Sequence, residues 1–367
     1  MTASAPTPSS LHFSGSYVPE DVEFLLTRMS LRPTPVAEKE RLIQTGRRHY
    51  SEMISPERPP GPVYMRLYQD ALGRNGPRLA QHIAALAAAL AQRAAGREVV
   101  LVSLARAGTP VGVLLHRALR RMGVPSNHYS ISIIRDRGVD AAALAHITAR
   151  HHGRDVVFVD GWTGKGVIAR ELRASAAESV LQARPYLAVV ADPAGAADLA
   201  ATGEDYVIPS GLLNGVASGL VSRSIFDPEL VRAGRYHGCV RLDALAPHDV
   251  SRAFVDTIEA MSPAGPVPPV EWPADRRAAF AALSREAVAA IADACRVNDL
   301  NRIKPGAAEA TRAVLRRVPD RLFLSDPADP DLAHLVHLAA ERGLPVQALP
   351  AGEPYKAVAV IKSLGAD

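Results

Sequence analysis

The residues of this chain best placed to do chemistry lie in one stretch, Val156 to Ala169, VVFVDGWTGKGVIA. Val156, Val157, Phe158 and Val159 read as a strand buried on both faces, and Asp160 stands where that strand emerges. Thr163, Gly164, Lys165 and Gly166 follow at the opening of the next helix, where free N–H groups and the helix dipole favour an anion. The expected chemistry is sugar-phosphate binding, with Asp160 for hydroxyls or a metal and the TGKG turn for a phosphate. An ordinary strand-to-helix turn is the alternative, because a short glycine-rich loop is a weak signal alone.

Three further segments bear on the same edge. In LARAGTP, Leu104 to Pro110, Arg106 supplies a forked cation, while Ala107 and Gly108 let the backbone approach a ligand closely. In RDRGVD, Arg135 to Asp140, Arg135 and Arg137 are placed to close over a bound molecule. GLLNGVASGLVSRS, residues 211–224, which holds Asn214, Ser218, Gly219 and Ser222, reads either as a flexible loop near a site or as a plain connection. A Walker loop is excluded, since Gly166 follows Lys165 directly and position 159 is valine; a GxGxxG fingerprint is absent as well.

These loops require a scaffold that brings them together. Strand-like runs at Glu98–Ser103, His128–Ile134, Val156–Val159 and Pro185–Ala191 alternate with helical patterns at Pro110–Met122 and Asp140–Arg150. That rhythm predicts an α/β fold with a doubly wound, mostly parallel sheet of about five strands, whose carboxyl ends meet at one edge. Three domains are expected: a mostly helical N-terminal extension over 1–95, the sheet domain over 96–300, and a small α/β domain over 301–367. Within the first, a short helix is expected over 19–26 and separate helices over 37–54, 64–72 and 79–95.

Composition sets the class. Hydrophobic residues make up 48% and charged residues 22%, and the formal charge is +4 with a pI of about 9.2, which suits an anionic substrate. Two cysteines, Cys239 and Cys295, are too few for a disulfide scaffold. The N-terminus has no signal-peptide pattern and no run of some 20 apolar residues occurs, so a cytoplasmic location without a membrane span is expected.

The strand, acid and Thr/Gly loop of VVFVDGWTGKG resemble the phosphoribosyl-diphosphate motif of type I phosphoribosyltransferases, and ARAG at 105–108 resembles their diphosphate loop. The usual second acid is replaced by Gly161. A narrower resemblance covers nearly the whole chain. SGSYVPEDVEFLL, EKERLIQTGRRHYSEMISPE, SLARAGTPVGVLL and IKPGAAEATRAVLRRVP are similar to the phosphoribosyltransferase-like family of tellurium-resistance-associated gene clusters, whose members also carry the label cysteine protease StiP. The tail from about 316 is similar to a PELOTA-type RNA-binding domain.

The resemblance implies Mg²⁺-dependent transfer of a 5-phosphoribosyl group from phosphoribosyl diphosphate to a small, base-like acceptor. Asp160, Gly161, Thr163, Gly164, Lys165 and Gly166, with Arg106, Ala107 and Gly108, would bind the donor, Asp160, Lys165, Arg135 and Arg137 would serve catalysis, and the 211–224 loop would take the acceptor. Asp160 is the one side chain offered to a metal. RNA is implied as a partner of the C-terminal domain, and assembly is left open, with a homodimer as one state. A nucleotide- or RNA-binding regulator without catalysis is the alternative.

The protease label needs a thiolate, an imidazole and an orienting group. His237 and Cys239 in YHGCV lie two residues apart without a defined base geometry, and Cys295 in ADACRV reads as a helix position, so proteolysis ranks last. His334 and His337, at i and i+3, read as ordinary helix residues, and Arg312, Arg316 and Arg317 as a solvated helix face or an RNA contact.

Overall fold

A computed structural model describes residues 13–177, 180–181, 183–350 and 354–363. The chain opens with β1 (Glu23–Leu25), β2 (Thr27–Arg28), α1 (Val36–Gln44) and the long α2 (Pro62–Ala94). The alternating part follows: β3 (Val99–Leu104), α3 (Gly108–Arg121), β4 (Ser126–Ile131), the short pair β5 (Ile133–Ile134) and β6 (Gly138–Val139), then α4 (Ala141–Thr148). It continues with β7 (Val156–Trp162), α5 (Val167–Ala177), β8 (Leu187–Ala191) and β9 (Leu199–Thr202).

The main sheet runs β1-β4-β3-β7-β8-β9, with every neighbouring pair parallel. β3 is buried along its whole length, as a strand covered on both faces requires; its run of four apolar residues is followed by Ser103, whose hydroxyl bonds the Gly108 carbonyl and His128. Strand order reverses between β3 and β7, so the loops after these two strands diverge to opposite faces and leave a crevice at their carboxyl ends. Asp140 caps α4 by accepting the N–H groups of Ala142 and Ala143.

The sheet has six strands where about five were expected. Beyond the four runs named from the sequence it contains β9 and β1, the latter in a segment whose Pro-Glu-Asp opening reads as a helix start. Tertiary pairing overrides that signal: Phe24 and Leu25 are completely buried and β1 aligns with Tyr129–Ile131. α1 stops at Gln44 rather than running to 54. The two helices expected over 64–95 form one, because Pro77 lies inside α2 without ending it.

The remainder comprises α6 (Pro228–Arg232), β10 (Gly238–Cys239), α7 (Ser251–Ala260), α8 (Ala274–Cys295), β11 (Ile303–Pro305) and α9 (Ala307–Arg316). β12 (Pro319–Leu324), α10 (Ala333–Arg342), β13 (Val346–Ala348) and β14 (Ala357–Ile361) complete it. β10 pairs with β2, and the last four strands form a second sheet in the order β11-β14-β12-β13. This C-terminal unit is seated on the rest through Asp205. Both Asp205 carboxylate oxygens accept the Ala307 N–H that opens α9, at 3.0 and 2.9 Å, and one accepts the Lys356 N–H at 2.8 Å. Among the described residues no helix is long and apolar enough to cross a membrane.

Candidate functional site

At the carboxyl end of β7, and beside the first half of β8, the sheet faces α9 across a cavity of about 310 Å³. Its floor includes Ile54, Leu187 and Val189. Eight of its lining residues are cationic: Lys39, Arg135, Lys165 and Arg223 precede the C-terminal unit, and Lys304, Arg312, Arg316 and Arg317 belong to it. Only Glu57, Asp160 and Glu309 oppose them among the lining residues.

Those three acids are partly spent. Glu57 pairs with Arg106, and Glu309 with Arg312 at 3.3 Å. Outside the lining, Arg317 is held by both oxygens of Glu40. Burial pushes the Asp160 carboxyl up to about 7, against the pull of Arg312. Lys39 is lowered to about 7 by burial and then by Arg223, Arg317 and Arg316. Lys304 is lowered to about 7 by burial, then Arg317 and Lys165, and Lys165 to about 8 by burial, then Arg135. Burial brings Arg223 down to about 10. The Nε atoms of Arg223 and Arg316 are buried donors without a partner. Unsatisfied donors and lysines held below their usual range around one space mark a place where a negative charge is missing.

The predicted residues divide in two. Asp160, Thr163, Gly164, Lys165, Gly166, Arg135 and Ser222 line the cavity. Within the turn, Thr163 Oγ1 donates to Asp192 at 2.5 Å, and the Gly164 carbonyl accepts from Tyr355 at 2.8 Å. Lys165 Nζ donates to the carbonyls of Leu300 and Ile303, so it ties the turn to the C-terminal unit. Arg135 stacks over Tyr50 at 5.4 Å and donates to Asn301 at 3.2 Å.

Others lie off the cavity. Gly161 is buried in β7. Arg106, Ala107, Asn214 and Ser218 line a smaller adjoining cleft, where the two terminal nitrogens of Arg106 donate to the Val221 carbonyl and to Glu57 while its Nε finds no partner among the described residues. Gly108 packs so closely on β7 that an added Cβ would lie 2.2 Å from the Val159 carbonyl oxygen. Arg137 pairs with Glu52 at 2.6 Å and covers Phe226, and the Gly219 N–H donates to Ser251 at 2.9 Å.

Lys39, Glu57, Arg223, Lys304 and Glu309 escaped the sequence reading. Arg312, Arg316 and Arg317 were visible as a cluster, but they turn into the cavity rather than toward solvent; Arg312 lies 4.5 Å from the centre of the Trp162 ring. The spacing of 312 and 316 put both on one helix face, a legible signal that did not say what that face meets.

For a metal the donor set does not fit. Among the described residues no group of three or more His, Cys, Asp and Glu gathers, and Asp160 stands among cations. Both thiols are free. Burial pushes Cys239 up to about 12 and raises Cys295 as well, so neither is a thiolate at neutral pH. Near Cys239, the His237 ring bonds Ser132 Oγ at 2.8 Å through Nδ1, and the His237 N–H donates to Asp140. His334 bonds Thr311 at 2.7 Å and His337 pairs with Glu341, as ordinary helix residues do.

Two family profiles match the chain. "Tellurite-like stress resistance cysteine protease StiP" covers residues 15–259 and "PELOTA RNA binding domain" covers residues 282–363. A relative named "Cysteine protease StiP", from Acinetobacter baylyi (strain ATCC 33305 / BD413 / ADP1), is 43% identical over 367 residues, which span 96% of this chain and 95% of the relative. No solved structure matches. These likenesses bear out the resemblance to the StiP family and to the PELOTA domain. They overturn the expectation of a phosphoribosyl-transferring enzyme, for which no match is found, and with it the ranking that put thiol proteolysis last.

Proposed function

The chain belongs to the StiP family, and on that premise we propose that its working site is the cavity between the parallel sheet and α9, where the protein binds a multiply charged anion. The observation that carries this reading is the imbalance of eight cations over three acids around one cavity. A folded protein keeps such an imbalance at a cost in self-repulsion and desolvation, which a bound anion would relieve. Phosphate-bearing ligands suit the arginine forks, which accept two oxygens at once. Magnesium enters the proposal only as an ion carried on the ligand's own oxygens. The order of the sheet and the crevice between β3 and β7 support a kinship of fold with the type I phosphoribosyltransferases, separate from any shared activity.

Inorganic pyrophosphate at low salt tests the reading. Thermal unfolding should shift upward by several degrees and saturate, and Arg312→Ala should lose most of the shift. An unchanged midpoint with phosphate, pyrophosphate and tripolyphosphate alike would sink it.

A second reading, thiol-dependent peptide hydrolysis, is favoured by the relative's name and by the neighbourhood of Cys239. The His237 ring is oriented by Ser132, while Asp140 holds its backbone N–H, so an imidazole with one orienting group stands two residues from a thiol. Burial keeps that thiol neutral, and hydrolysis would require β10 to part from β2. Peptidase activity abolished in Cys239→Ser and kept in Cys295→Ser would establish it; activity surviving in the double variant would end it. RNA enters as a partner of the C-terminal domain on the strength of its profile. Because Arg312, Arg316 and Arg317 face the cavity, RNA contact would use other residues of that domain.

A further inference from the structure

Lysine is scarce here. Of 42 lysine and arginine residues in the chain only five are lysines, and three of the five, Lys39, Lys165 and Lys304, line the one cavity. Where arginine supplies nearly all positive charge, lysine differs in one chemical respect: its amine can lose a proton and become a nucleophile, which a guanidinium does not do.

The three are not equivalent. Lys39 donates to Ser55, and Lys165 to the carbonyls of Leu300 and Ile303. Lys304, on β11, lines the cavity and makes no hydrogen bond or ion pair among the described residues. Outside the cavity, Lys356 is held by Asp329 at 2.8 Å and Asp331 at 3.3 Å, and Lys362 is exposed. Lys304, half-buried on β11, is therefore the cavity lysine whose amine is uncommitted.

We propose that Lys304 is a nucleophilic amine that captures an anionic aldehyde or ketone as an imine inside the cavity. The inference rests on the anion-binding reading, since the arginines Arg223, Arg312 and Arg316 would hold the ligand's negative group while its carbonyl meets Nζ. Burial, and then Arg317, Lys165 and Arg135, lower the Lys304 amine to about 7 against the pull of Glu309, so part of it is unprotonated at neutral pH. In the step itself the Nζ lone pair forms a C–N bond as the carbonyl π pair moves to oxygen, giving a carbinolamine. Both amine hydrogens then leave with that oxygen as water while the C=N bond forms. Amine plus carbonyl gives imine plus water, with no oxidant or reductant.

The test uses the full chain and pyridoxal 5′-phosphate, an anionic aldehyde whose imine absorbs visibly. After borohydride reduction, peptide mapping should place one label per chain on Lys304. Inorganic pyrophosphate should suppress it, and phosphate-free pyridoxal should react at least tenfold less. Lys304→Arg should abolish the label. Label spread over Lys356 and Lys362, label on Lys39 or Lys165 instead, or undiminished imine in Lys304→Arg overturns the inference. Pyrophosphate stabilisation without a Lys304 label ends this inference and leaves the anion site standing. A Lys304 label that forms equally with phosphate-free pyridoxal, with no pyrophosphate effect, ends the anion site and keeps the amine.

Discussion

Two clusters of cations in this molecule use the same residue types to opposite ends. On α3, Arg117 binds both oxygens of the buried Asp21 at 2.7 Å and also reaches Asp256 at 2.7 Å and Glu259 at 2.8 Å; these bonds hold its guanidinium above the usual range. Its neighbour Arg121 shares Glu259. In the cavity, Lys39, Lys304, Arg223 and Arg316 crowd together and all are pushed below their usual ranges. Cations answered by acids hold elements together. Cations left facing one another hold a place for something else.

Removing a member of each cluster should therefore give opposite signs. Arg117→Ala leaves Asp21 buried without its partner, and urea unfolding should show a loss of about 3 kcal/mol. A loss below about 1 kcal/mol would erase the contrast.

The next effect is on pH. Sulfate keeps a constant charge above pH 4, so its affinity should fall about tenfold or more, roughly 1.4 kcal/mol, as pH rises from 6.5 to 8.5 and the cavity lysines lose their protons. The free protein should show the reverse slope. Lys39 and Lys304 have folded values near 7 against about 10.5 unfolded, so between these limits the unfolded chain binds more protons and stability rises with pH. Calorimetry with sulfate and urea titrations across the same range check both slopes, and parallel slopes would refute the charge account.

Lys304→Met should raise the stability of the ligand-free protein at pH 7 by about 1 kcal/mol, since an unpaired buried amine gives way to an apolar chain. Denaturation that shows a loss would mean that the cavity cations are structural after all. The smallest effect belongs to exposed pairs: Arg78→Ala, which breaks the pair with Glu204, should change stability by less than about 1 kcal/mol.

Legibility in the sequence followed distance along the chain. β3, β7 and β8 could be read because a strand covered on both faces needs an unbroken apolar run, and Asp160 with the TGKG turn could be read because such a strand ends at the ligand edge. Lys39 and Arg312 to Arg317 could not be joined to that turn, since no local pattern links α1, α9 and residue 165. Arg106 illustrates the converse. Its type suited a phosphate, but Glu57, 49 positions away, had already claimed it. β1 failed for a similar reason, because pairing with β4, a hundred residues on, outweighed a local helix signal.

Asp205 bears on what counts as a folding unit. The carboxylate that receives the first N–H of α9 belongs to the segment just after β9, outside the 282–363 span of the RNA-binding profile. A fragment cut to that profile would begin life with an uncapped helix and with its Lys356 amide unanswered. The boundary that similarity draws is thus a boundary of ancestry, and the protein's cooperative unit extends past it by at least one side chain.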